Sequence, residues 1–288
     1  MIRLGTRGSK LALYQAEKVK KELEKLGYEV EIKIIKTRGD KILDKKISDI
    51  GIGAFTKELD ISLENGEIDI AVHSLKDIPT IWNPNFDYFV LERDGYKDIL
   101  LYKNELKEDI TIGTSSIRRR AFLKNLFPNA KFKLLRGNID TRVRKLKNGE
   151  YDAIVLSESS IKRLNIDLGD LKIFYPDILP APAQGVIAIA YKKDDNDIKE
   201  ILKRINHKKT FLEVKTERAA LNEFGSGCSV PFGALAVFEN NILTLKVGVS
   251  TQEKYFELSK KIKCSINDLD RAIKFGKELG KELKDAIG

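Results

Sequence analysis

Hydrophobic and polar positions along the chain fall into two matching runs. The first opens with Ile2-Arg3-Leu4-Gly5-Thr6, passes through Arg7-Gly8-Ser9, and continues as a helical pattern from Lys10 to about Leu26. The second opens with Ile110-Thr111-Ile112-Gly113-Thr114, passes through Ser115-Ser116, and continues as a helical pattern to about Leu126. Each reads as a short strand, a Gly-Thr turn and a helix capped by a hydroxyl. A second echo follows. A helix over Phe55 to Leu63, or over Thr141 to Leu146, leads into Asn65-Gly66-Glu67 or Asn148-Gly149-Glu150. A strand comes next, Ile68 to Val72 or Tyr151 to Leu156, with Ser74 or Ser157 at its end.

Strands and helices alternating in that order predict an α/β architecture: two duplicated lobes, each a mostly parallel sheet with helices on its faces. Two such lobes imply a cleft between them. Ligands of open α/β sheets sit at the carboxyl ends of the strands. The residues just after the Gly-Thr turns and after Val72 are therefore expected there. Pro180-Ala181-Pro182-Ala183-Gln184-Gly185 reads as a crossover between the lobes. After about residue 208 the pattern changes to a helix over Phe211 to Phe224 and a glycine-rich loop, Gly225 to Pro231. Strands around an Asn240-Asn241 turn, another strand near Tyr255 to Leu258 and a last helix over Asp268 to Ile287 follow. This predicts a small α+β C-terminal domain. The expected domains are 1–91 with 186–204, 96–180, and 208–288.

A length of 288 residues suits two or three domains. No apolar run reaches the ~20 residues of a membrane span, and the start has no signal-type apolar stretch, so a cytoplasmic location is expected. Two cysteines, Cys228 and Cys264, are expected as free thiols. The two histidines, His73 and His207, offer no metal-ligand spacing, so no metal is expected. A net charge of +9 admits nucleic acid or another polyanion as partner. The Lys- and Glu-rich composition resembles that of thermophile proteins and concerns stability alone.

Three constellations carry candidate chemistry. Arg7, Arg118, Arg119, Arg136 and Arg142 fall at or just after strand ends. Arg7, Arg118 and Arg119 lie near helix N-termini beside Ser9, Ser115 and Ser116, where an arginine opposes the helix dipole unless an anion is bound. A bound carboxylate or phosphate would relieve that conflict, and the guanidinium fork suits it. A solvated helix face is the competing reading, and three successive arginines cannot all face one site. On this reading, Arg118 or Arg119 can be replaced without unfolding the protein. The second constellation is His73-Ser74-Leu75-Lys76-Asp77-Ile78-Pro79, where Pro79 keeps Ile78 extended and Asp77 sits on a stiff loop among cations. A loop aspartate that caps the next segment is the alternative. His73 reads as a satisfied structural histidine. The third is Cys228 between glycines, a nucleophile or attachment point on one reading and an inert small hydrophobe on the other. Cys264 has no such setting. No Ser-His-Asp triad, P-loop or dinucleotide fingerprint is present.

The ordered set of motifs resembles the porphobilinogen deaminase family over nearly the whole chain. The matching pieces are Arg7-Gly8-Ser9-Lys10-Leu11-Ala12, Thr37-Arg38-Gly39-Asp40, Phe55-Thr56-Lys57-Glu58-Leu59 and Ala71 to Pro79. Further on come Gly113-Thr114-Ser115-Ser116-Ile117-Arg118-Arg119, Leu135-Arg136-Gly137-Asn138, Pro182-Ala183-Gln184-Gly185 and Gly227-Cys228-Ser229-Val230-Pro231. The resemblance implies two lobes built like type II periplasmic binding proteins, plus the third domain. It implies a transferase of tetrapyrrole biosynthesis that joins four porphobilinogen molecules head to tail, with loss of ammonia. The chain grows on a dipyrromethane cofactor held by a thioether to Cys228, and hydrolysis releases hydroxymethylbilane. By the same resemblance, Asp77 is the catalytic carboxylate that stabilises positive charge on the pyrrole nitrogen. Arg7, Ser9, Lys76, Ser115, Arg118, Arg119, Arg136 and Arg142 bind the acetate and propionate groups. Phe55 is expected to pack over a ring and Gln184 to belong to the cleft loop. Many bacterial members have a lysine where this chain has Ile52, so that contact is not carried over. The expected state is a monomer with porphobilinogen as substrate and no nucleic acid or membrane partner. Two rival classes remain at this point. A non-catalytic two-lobed anion binder has no need of Asp77 or Cys228, and a nucleic-acid binder would show an aromatic-basic stripe.

Overall fold

A computed structural model describes residues 1–36, 56–225, 230–251 and 254–287. The first sheet contains β1 (Ile2–Thr6), β2 (Val30–Ile34), β3 (Ile70–Ser74), β4 (Phe86–Val90) and β10 (Ile187–Lys192), in the order β2-β1-β3-β10-β4. The second contains β5 (Asp98–Tyr102), β6 (Thr111–Gly113), β7 (Lys131–Lys133), β8 (Ala153–Ser157) and β9 (Lys172–Phe174), in the order β7-β6-β8-β5-β9. The two orders are the same when β6, β7, β8 and β9 stand for β1, β2, β3 and β4. In each sheet one strand runs antiparallel to both its neighbours, β10 in the first and β5 in the second. Each of those strands arrives from the opposite lobe. Two lobes exchanging a strand in this way form a type II periplasmic-binding-protein-like fold.

The duplication extends to single hydrogen bonds. Arg3 N–H donates to Asp69 Oδ2 and Thr111 N–H to Asp152 Oδ2, both at 2.7 Å. Gly5 and Gly113 are strand residues rather than turn residues, a correction to the Gly-Thr reading. A Cβ on Gly5 would lie 2.3 Å from Ile68 Cδ1, and one on Gly113 would lie 2.8 Å from Tyr151 Cδ1. These glycines are there to let the following segment pack.

The helices α1 (Lys10–Glu24), α2 (Lys57–Glu64), α3 (Ile117–Leu126), α4 (Ile139–Lys147), α5 (Glu158–Leu164) and α6 (Asn196–Ile205) cover the two sheets. In α1, Ala12, Ala16, Val19 and Leu23 recur on one face, and Ala16, Val19 and Leu23 pack with Leu4, Ile70, Val72 and Leu202 into one core. That apolar stripe, with Ser9 as N-cap accepting from Ala12 N, is why the segment is helical.

The C-terminal part is α7 (Lys208–Phe224), a meander of β11 (Phe232–Glu239), β12 (Ile242–Ser250) and β13 (Tyr255–Lys263), and α8 (Leu269–Asp285). Asn240 and Asn241 both have positive φ, 52° and 60°, as a two-residue hairpin turn requires. The core of this part is continuous through Phe224, Phe232, Leu245, Val247, Phe275 and Leu279.

The two crossovers lie side by side. Asp94 N–H donates to Gly185 O, and a Cβ on Gly185 would fall 1.6 Å from Gly95 O, so only glycine fits. A three-residue ion network spans this place: Asp94 pairs with Lys18 of α1 and with Arg163 of α5, both at 2.6 Å. Glu217 of α7 is fully buried and joins both crossovers to the C-terminal part. It takes Arg93 through both oxygens, Ala183 N–H at 2.6 Å and Ala236 N–H at 2.8 Å.

Candidate active site

The ends of β1, β3, β6 and β8 open into a cleft of about 840 Å³ between the lobes. Among the described residues, nine cationic side chains line it against two carboxylates, Asp77 and Asp140. Ser9, Ser115, Ser116, Ser157, Ser159 and Ser160 add hydroxyls. Such a surface repels cations and draws an anion with several carboxylates, which arginine forks and hydroxyls can grip.

Arg7, Ser9, Lys76, Asp77, Ser115, Arg118, Arg119, Arg136, Arg142 and Gln184 all line this one cleft, though they span more than half the sequence. Phe55, Ile52 and Cys228 lie outside the described residues. Arg120, the third of the successive arginines, is exposed and absent from the lining.

Asp77 ends a single turn of 3-10 helix, Leu75–Asp77, that follows β3 directly. Ile78 is extended at φ −72°, ψ 125°, as the residue before Pro79 should be. A residue that sequence reasoning missed secures this turn. Arg218 of α7 donates to the carbonyls of Ile78 at 3.0 Å and Pro79 at 2.7 Å. The C-terminal part thus holds the loop that carries Asp77, whose own side chain is exposed to the cleft.

Arg118 and Arg119 differ from expectation in how their charge is met. The dipole conflict at the N-terminus of α3 is relieved from within the protein, by Asp98 at the start of β5. Asp98 Oδ2 accepts from Arg118 Nη2 at 2.6 Å, and Oδ1 accepts from Arg119 Nη2 at 2.7 Å and Nε at 3.0 Å. Burial works against the ionised form of Asp98, but the two guanidinium charges outweigh it and hold the carboxyl far below its usual range. Arg118 also donates to Leu179 O and Arg119 to Val155 O. Removing either arginine takes one cation from the buried Asp98 carboxylate, so its loss bears on stability as well as on the cleft. Both still line the cleft with the N–H groups that remain.

Gln184 donates through Nε2 to Asp98 Oδ1 at 3.0 Å and Tyr96 O at 2.8 Å, and accepts from Lys76 Nζ at 3.2 Å. Burial pushes the Lys76 amine down to about 8, helped by the nearby charge of Arg119. Burial, Arg119 and Arg136 likewise push Arg142 down to about 10. Arg163 is a further cleft cation; it lies on α5, outside the motifs that mark the other arginines. His73 is a correction: it is buried, but among the described residues its Nε2 has no partner, and burial lowers its pKa to about 4, which keeps the imidazole neutral. Among the described residues, no group of His, Cys, Asp and Glu could hold a metal, and no helix is long and apolar enough to cross a membrane.

Residues 2–200 match the family model for the porphobilinogen deaminase dipyrromethane cofactor binding domain, and residues 211–285 match the porphobilinogen deaminase C-terminal domain. A protein of Methanocaldococcus jannaschii named "Probable porphobilinogen deaminase" is 62% identical over 292 residues, covering 99% of this chain and 100% of that one. One of Archaeoglobus fulgidus with the same name is 42% identical over 294 residues, covering 99% and 98%. Among solved structures, the substrate binding protein of an amino acid ABC transporter aligns at TM-score 0.41 and 21% identity, over 71% of this chain and 90% of that one.

Proposed function

The chain belongs to the porphobilinogen deaminase family, and on that premise we propose how its own residues join four porphobilinogen molecules head to tail with loss of ammonia. The observation that carries the reading is the cleft's charge: among the described residues, nine cations and two carboxylates around a space of about 840 Å³. Every porphobilinogen carries an acetate and a propionate, so a growing chain accumulates carboxylates. The donor set also fits dipyrromethane, which carries the same groups. Arg7, Arg118, Arg119, Arg136, Arg142, Lys76, Ser9 and Ser115 would hold it and the substrate, with Cys228 as the thioether attachment. When bound, dipyrromethane supplies the pyrrole α-carbon on which the chain is built.

The protein's part is to bind, orient and stabilise. Ser9 Oγ accepts from Ala12 N, which leaves its O–H to donate to a ligand carboxylate. Lys76, at about 8, is mostly protonated at neutral pH and adds a cation beside Asp77. Asp77 is the catalytic residue: its carboxylate accepts from pyrrole N–H and stabilises the positive charge that develops on the ring nitrogen as ammonia leaves. The rigid turn fixed by Pro79 and Arg218 keeps that carboxylate in place before charge appears. Gln184 orients Lys76. The domains are 1–91 with 186–204, 96–180 and 208–288, and the enzyme works as a cytoplasmic monomer with no nucleic-acid partner.

Intact mass tests the attachment. The purified protein should exceed its sequence mass by two pyrrole units. Cys228→Ala should lose that increment and Cys264→Ala, a buried thiol, should keep it. An active enzyme at its bare sequence mass would overturn the reading.

A further inference from the structure

We propose that Asp98 and Gln184 are positioning residues, a buried relay that sets the Arg118–Arg119 pair of one lobe and Lys76 of the other in fixed register. The inference rests on reading the cleft cations as ligands of substrate carboxylates. Asp98 is 1% exposed and has both oxygens occupied by arginine and glutamine donors. Each arginine is also tied to a backbone carbonyl. Their planes are therefore fixed before any ligand arrives, and a donor so fixed needs no reorganisation during the reaction. One carboxylate shared by two guanidinium groups leaves net positive charge facing the cleft.

Gln184, also 1% exposed, extends the arrangement. Tyr96 O and Asp98 Oδ1 are both acceptors, so the amide must present its NH₂ to them. Its oxygen is then directed at Lys76 Nζ. Only an amide meets this demand: a carboxylate would face Asp98, and an apolar side chain would leave three polar partners unmet. Lys76 immediately precedes Asp77, so the relay ends one residue from the catalytic carboxylate. The charged groups around Lys76 are Asp77, Asp98, Arg118 and Arg119. Gln184 lies in the second crossover, where the lobes join, so the two halves of the cleft are held through the same side chain.

The test uses primer-loaded Gln184→Met and Asp98→Asn, with kcat, KM and the titration of the Lys76 amine, read by pH-dependent acylation and mass spectrometry. Gln184→Met keeps the length and the net charge of the cleft. It should lower kcat by at least ~10-fold through misplacement, with KM changed by less than about threefold because ground-state anion binding is kept. Lys76 loses its acceptor and should titrate lower than in the wild type, with acylation at pH 7 roughly threefold faster. Asp98→Asn, if folded, should show the same kcat loss without a rise in KM, since the cleft gains positive charge. If it does not fold, Gln184→Met decides alone. Arg142→Leu, outside the relay, separates the two readings. If it raises KM while Gln184→Met keeps wild-type kcat and Lys76 titration, the relay is overturned. If Arg142→Leu leaves KM unchanged, the assignment of the cleft cations fails first.

Discussion

Arg93→Met should cost the protein far more stability than its position near a loop implies. Arg93 and Glu217 have side chains 8% and 0% exposed, and three N–H···O contacts of 2.8–3.0 Å join them. Glu213 stands 4.0 Å from the same guanidinium. Removing Arg93 leaves the buried Glu217 carboxylate with the Ala183 and Ala236 N–H groups as its partners among the described residues. Breaking a buried pair from one side costs about 3–5 kcal/mol. At roughly 2–4 °C per kcal/mol for a protein of this size class, Tm should fall by roughly 6–20 °C. Glu217→Gln should be similarly harmful, because its NH₂ would face N–H donors. The double variant Arg93→Met with Glu217→Met removes both charges and should be less destabilised than the sum of the Arg93→Met and Glu217→Met single variants by at least ~2 kcal/mol. Calorimetry and urea unfolding measure all four corners of this cycle. Additive effects, or a loss below about 1 kcal/mol for Arg93→Met, would refute the claim that this pair ties the crossovers to the C-terminal part.

Two further outcomes follow from buried charge. His73 has a folded pKa of about 4 against ~6.5 unfolded, so below pH ~6.5 the unfolded state takes up a proton that the folded state refuses. Stability should therefore fall as pH drops from ~6.5 to ~4, by roughly 3 kcal/mol at ~1.4 kcal/mol per unit; urea unfolding of His73→Phe should lack that slope, and an unchanged slope would assign it elsewhere. Arg118→Leu should lose about 3 kcal/mol because Asp98 keeps one cation too few, whereas Arg142→Leu should stay within about 1 kcal/mol and show its effect as a raised KM.

The duplicated lobes were legible because the same apolar spacing occurs twice, and the apolar faces of α1 and β3 are the ones the structure buries. Helix ends moved by a residue or a few: α7 starts at Lys208 rather than Phe211, because His207 caps it by accepting from Thr210 N. The strands before Ser74 and Ser157 begin at Ile70 and Ala153, two residues later than expected, because Ile68 and Tyr151 are spent packing on Gly5 and Gly113. The cleft cations were legible as arginines at strand ends. Their partners were not. Asp98 reads as a polar residue before an apolar strand, and nothing local says that it meets two arginines about twenty residues away. Arg218 lies on a helix of the C-terminal part, and its contact with the Asp77 turn joins residues about 140 apart. Such pairings are set by tertiary closure, which periodicity does not encode.

Asp77 carries the central claim, and single-turnover ammonia release measures it directly. Asp77→Asn keeps the shape of the side chain and one acceptor while removing the charge that stabilises the developing pyrrole cation. The turn it sits on is held by Pro79 and by Arg218 through backbone carbonyls, so the variant should fold and load its primer. Ammonia release from folded, primer-loaded Asp77→Asn should be at least ~100-fold slower than wild type, the scale of one preorganised electrostatic group. Asp77→Glu, with the charge kept but displaced, should fall between the two. A wild-type rate from Asp77→Asn would make Asp77 a structural loop residue and contradict the account.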